Sequence, residues 1–63
     1  MKEEDVILSL VKDLNQRHGN CDEPKLVKLA TLLNINAEKV QKIKEELAQK
    51  GKLEVKGSNI FLP

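Results

Sequence analysis

Glu38, Gln41, Lys42, Glu45 and Gln49 stand opposite an apolar stripe of Val40, Ile43 and Leu47 when residues 37–50 are wound as a helix at about 100° per residue. Their types suit non-covalent recognition of base edges. A glutamine at Gln41 can pair bidentately with adenine, Lys42 can meet guanine or a phosphate, and Glu38 can accept from cytosine. Phosphate contact asks less, needing only a positive side chain or a helix N-terminus beside the strand. Asn36 with the first amides of that helix, Lys39, Lys42, Lys25 and Lys28 upstream, and Lys52 and Lys56 downstream are the candidates. Glu45 opposes them, because a carboxylate facing a phosphate backbone is repelled. The plainer reading of the same face is a solvated surface with Glu38 paired to Lys42 four residues on.

Other chemistry is poorly provided for. His18, Cys21, Asp22 and Glu23 are a weak metal-ligand set, and Cys21 beside His18 lacks a third orienting residue or an oxyanion donor for nucleophilic catalysis. No cofactor and no small-molecule substrate are expected. A 63-residue chain has room for a single core and no interdomain cleft, so an enzyme is not expected either. One cysteine cannot form an internal disulfide, so apolar contacts must hold the fold.

These side chains need helices to position them. The spacing of Ile7, Leu10, Val11 and Leu14 predicts a first helix over residues 3–17, opened by Glu3, Glu4 and Asp5 and closed by Arg17-His18-Gly19. His18 continues that stripe and is expected to be partly buried. Asn20-Cys21-Asp22 is a short link that offers an extended residue or two for pairing with the C-terminal segment. Asp22 caps a second helix over residues 23–33, with Pro24 in its first turn and Leu26, Leu29, Ala30 and Leu33 buried.

The corner that follows is the most specific signal. Ala30 is small enough for a second helix to cross closely, Asn34 tolerates a left-handed backbone, and Val40 and Ile43 supply two apolar residues three apart. Asn36 is the natural N-cap of a third helix ending at Gly51. Residues 51–62 then alternate as a hairpin. With Gly57-Ser58 as a two-residue type II′ turn, Leu53, Val55, Ile60 and Leu62 share one face and Glu54 and Phe61 the other. Phe61, the single aromatic, is expected to pack under a helix end.

The formal net charge is only +1, yet its distribution is uneven. Residues 1–23 carry three bases against six acids, whereas residues 24–63 carry eight against four. The asymmetry reads equally well as acids placed at the two helix starts, where the macrodipole favours them, or as a basic face on the helix-turn-helix and hairpin. No run reaches membrane-spanning length and the acidic N-terminus does not suit a signal peptide, which predicts a cytoplasmic location. No linker, repeat or low-complexity tract interrupts the chain, and residues 1–63 are expected to form one complete domain.

The run Leu29-Ala30-Thr31-Leu32-Leu33-Asn34-Ile35, with Val40, Ile43 and Leu47 through Val55, resembles the winged helix-turn-helix superfamily of transcription regulators over nearly the whole chain. Its layout is similar to the DNA-binding domain of the bacterial SOS repressor and to small winged-helix regulators. Z-nucleic-acid-binding domains share the passage Leu47-Ala48-Gln49-Lys50-Gly51-Lys52-Leu53, but Gln41 and Glu45 stand where they use asparagine and tyrosine, and no wing tryptophan is present. The wing also lacks the cysteines of the regulators of ferrous-iron transport. The resemblance implies an α+β, mainly α fold of three helices and a C-terminal hairpin wing, binding duplex DNA with helix three in the major groove.

A second reading comes from Glu38, Glu45 and Glu46, the near-zero total charge, and Val6, Leu8, Val27 and Leu32, which flank their helix stripes. It is a winged-helix module that docks a protein partner or a second copy of itself, with DNA binding absent or secondary.

Overall fold

Acids in the first turn and Arg17 and His18 in the last complement the macrodipole of the opening helix, α1 (Glu3–His18), which buries Ile7, Val11 and Leu14. The computed structural model describes residues 2–63. After α1 come β1 (Cys21–Asp22), α2 (Glu23–Leu32), α3 (Ala37–Gln49), β2 (Glu54–Lys56) and β3 (Asn59–Phe61). The class is α+β, mainly helical, with a three-stranded antiparallel sheet in the order β1-β3-β2. Among the described residues no helix is long and apolar enough to cross a membrane.

The link before α2 does pair with the hairpin: Cys21 lies opposite Ile60, and Asp22 opposite Asn59. On the other side of β3, Val55 faces Ile60 and Lys56 faces Asn59, which leaves Gly57-Ser58 as the loop. Gly57 has φ 60° while Ser58 is not among the positive-φ residues, the combination of a type II′ turn. Cys21, Ile60 and Val55 form one cross-sheet row on the core side. The first two are fully buried, but Val55 sits on the edge strand and is exposed, as is Leu62. Phe61, opposite Glu54, is half-buried.

Two helix ends share one device. At the end of α2, Ile35 N–H reaches Ala30 O at 2.9 Å and Asn34 N–H reaches Thr31 O at 3.0 Å, with Asn34 at φ 66°. This is a Schellman closure, and its associated apolar contact falls on Ala30 and Ile35, both buried. At the end of α3 the same pair of bonds recurs, Lys52 N–H to Leu47 O and Gly51 N–H to Ala48 O, with Gly51 at φ 76°. Between them Asn36 caps α3, its side chain accepting from Lys39 N–H at 2.9 Å, an interaction worth about 1 kcal/mol.

The core joins Ile7, Val11 and Leu14 to Leu26, Ala30, Val40, Ile43, Leu47, Leu53 and Ile60. Complete burial of such aliphatic side chains contributes roughly 1.5–3 kcal/mol each. Asn15 ties α1 to the sheet, donating to Val11 O at 2.8 Å and Ile60 O at 3.1 Å.

Several expectations need correction. His18 is exposed, because the α1 stripe outlasts the elements packed against it. Leu33 is exposed, since α2 closes at Leu32 and leaves Leu33 as its C-cap, and Leu29 packs against the core only half-buried. Asp22 holds the N-cap position of α2 without a side-chain capping bond; its carboxylate is approached by Asn20 Nδ2 at 3.5 Å. Val6, Leu8 and Val27 pack against the core as half-buried residues, whereas Leu32 is exposed.

Candidate nucleic-acid interface

With Val40, Ile43 and Leu47 buried, α3 has two flanks and one outer ridge. The ridge carries Glu38, Lys42, Glu45 and Gln49, all exposed. The Glu38–Lys42 ion pair of the plainer, solvated-face reading does not form among the described residues, where the one i,i+4 pair is Arg17 with Asp13. Lys42 is thus a free cation between two carboxylates.

Gln41 is not on that ridge. It is half-buried on the flank facing α2, and its Nε2 donates to Glu23 Oε1. A side chain at 100° from Val40 is exposed only if nothing packs on that flank, and here the first turn of α2 does. Lys44 joins it, with Nζ 3.3 Å from the other oxygen of Glu23; the two side chains are 12% and 24% exposed. Glu23 also donates its own N–H to Ser58 O at 2.8 Å. One residue therefore fastens the start of α2, the flank of α3 and the hairpin turn. Sequence reading overlooked Glu23 and Lys44 in this role. The i,i+3 spacing of Gln41 and Lys44 was the available signal, but nothing in the chain says which acid meets them.

The opposite flank faces α1. Lys39, expected on phosphate, places Nζ 3.0 Å from Glu3 Oε1, and Lys50 lies at the same distance from Glu4 Oε1. The Lys50 hydrogen bond and charge hold the Glu4 carboxyl below its ordinary pKa. Asn36 spends its side-chain oxygen on the α3 cap, leaving contact by the helix start to its amides.

Lys25 and Lys28 are exposed on α2, and Lys52 and Lys56 are exposed before and within the hairpin. None of the four has a carboxylate partner among the described residues. Lys28 borders a shallow depression with Glu23, Pro24, Val27 and Ser58, between α2 and the hairpin turn. A second groove runs between α3 and β2, lined by Lys44, Glu45, Ala48, Gln49 and Val55. Of the candidates, Lys28 thus borders the depression at Glu23, while Lys39 and Gln41 are committed internally.

Elsewhere, Cys21 is buried, and burial pushes its thiol pKa from 9.0 to about 11. No group of three or more His, Cys, Asp and Glu side chains suited to a metal ion occurs among the described residues. No protein-family model matches the chain, and neither the curated proteins nor the solved structures give a match.

Proposed function

We propose that this is a winged-helix protein that binds duplex DNA, a small transcription regulator, and that it holds the duplex chiefly by its phosphates. The observation that carries this reading is the fastening at Glu23, which makes the start of α2, the flank of α3 and the Gly57-Ser58 turn one surface. Lys28 borders that surface, and Lys42 on the α3 ridge and Lys52 and Lys56 around the hairpin are further exposed lysines without a carboxylate partner among the described residues. The element order, with β1 completing the sheet, and the left-handed corner at Asn34 support the winged-helix assignment. Gln41 is engaged by Glu23, and the α3 ridge holds Glu38 and Glu45, so base reading is subordinate.

Fluorescence anisotropy of a labelled mixed-sequence duplex, titrated from 50 to 200 mM salt, tests the proposal. Binding should weaken steeply with salt, and Lys42→Ala should flatten the logarithmic slope by about 0.9, one phosphate contact. Absent binding, or a slope untouched by Lys42→Ala, overturns it.

A protein-docking reading rests on Leu32 and Leu33, which are 74% and 54% exposed at the end of α2. If that pair joins two copies, sedimentation velocity will show a concentration-dependent dimer that Leu32→Lys abolishes.

A further inference from the structure

Three ion pairs among the described residues join different elements, and in all three the lysine comes from α3 or its C-cap. They differ in how firmly they are held. Lys44 and Glu23 are withdrawn from solvent between α2 and α3. Lys39 with Glu3 and Lys50 with Glu4 are solvent-exposed, the lysines more so than the glutamates. Exposed pairs of this kind add little to stability, so the fold does not depend on them. Their larger consequence is electrostatic, because each cancels a positive charge on a helix that otherwise offers the duplex only Lys42 from its ridge.

Lys39 stands in the first turn of α3 and Lys50 just past its last residue. Eleven residues of helix separate their backbones by about 16 Å, a distance of roughly five base-pair steps at 3.4 Å each. We propose that Lys39 and Lys50 form a latent phosphate-contacting row along the α1-facing flank of α3, masked in the native chain by Glu3 and Glu4. The partner it fits is a polyanionic backbone, and the inference rests on the DNA-binding reading above. The masking carboxylates act twice, by occupying the ammonium groups and by repelling phosphate along the same flank.

The test compares the native chain, the double variant Glu3→Gln with Glu4→Gln, and a charge-matched control, Asp5→Asn with Glu54→Gln, at two carboxylates without an ion-pair partner among the described residues. Each is titrated with the labelled mixed-sequence duplex from 50 to 200 mM salt, after circular dichroism establishes native helix content. The Glu3→Gln, Glu4→Gln variant should bind about tenfold tighter at the lowest salt, and its slope should steepen by about 1.8, two additional phosphate contacts. The control should tighten binding less and leave the slope near the native value. Adding Lys39→Ala and Lys50→Ala to the unmasked variant should return its slope to native. Equal slopes for the native and unmasked chains, both binding, overturn the masked row and leave DNA binding standing. Equal steepening in the control reduces the effect to bulk charge and also overturns it. Failure of every variant to bind overturns both proposals.

Discussion

Lys44 and Glu23 meet at 3.3 Å across the α2–α3 interface, and the same carboxylate receives Gln41 while the Glu23 amide holds the hairpin turn. Glu23→Ala removes the carboxylate and leaves a largely buried ammonium and an amide without their partner. A destabilisation of about 1–2 kcal/mol is expected, below that of a fully buried pair because some water reaches the site. Urea unfolding followed by circular dichroism measures it. A change under about 0.5 kcal/mol would mean that the pair contributes little.

Asn34 occupies a left-handed conformation at φ 66°, which costs most L-residues roughly 1–2 kcal/mol. Asn34→Ala should lower stability by about 1 kcal/mol, whereas Asn34→Gly should match or exceed the native chain. Thermal melts of the two variants check the order. If alanine proves the more stable, the corner does not depend on a residue that accepts positive φ.

Cys21 supplies a pH dependence with a definite sign. Its thiol pKa rises from 9.0 to about 11 on folding, so the unfolded chain ionises first as pH increases. The contribution is whole below pH 9 and declines between about pH 9 and 11, as the unfolded state releases a proton the folded state retains. Cys21→Ser should remove that share of the decline, seen in unfolding free energies measured at intervals across the window. At about pH 8 the native thiol should react with an aromatic disulfide reagent far more slowly than in concentrated guanidinium chloride. Equal rates would place the thiol in solvent.

The corner was legible because it depends on residue type: Asn34 is one of few non-glycine residues suited to positive φ, and Asn36 to an N-cap. The hairpin register was legible because Gly57 suits the first position of a two-residue loop, and alternation then assigns every side chain to a face. Leu33 was misplaced because helical periodicity does not mark the residue at which the helix closes. Gln41 was misplaced for a different reason. It lies on a flank of α3, and whether a flank meets water or a neighbour depends on where α2 begins in space. The pairs of Lys39 with Glu3 and Lys50 with Glu4 join residues 36 and 46 positions apart, and no local pattern encodes them.

The proposed binding of duplex DNA through the surface around Glu23 is tested residue by residue by amide chemical shifts of the isotope-labelled chain, recorded as a mixed-sequence duplex is added at low salt. The largest changes should fall on Lys28, Lys42, Gln49, Lys52 and Lys56 and on the Gly57-Ser58 turn, and they should fade as salt is raised. Shifts that stay unchanged, or that gather instead around Leu32 and Leu33, would contradict it.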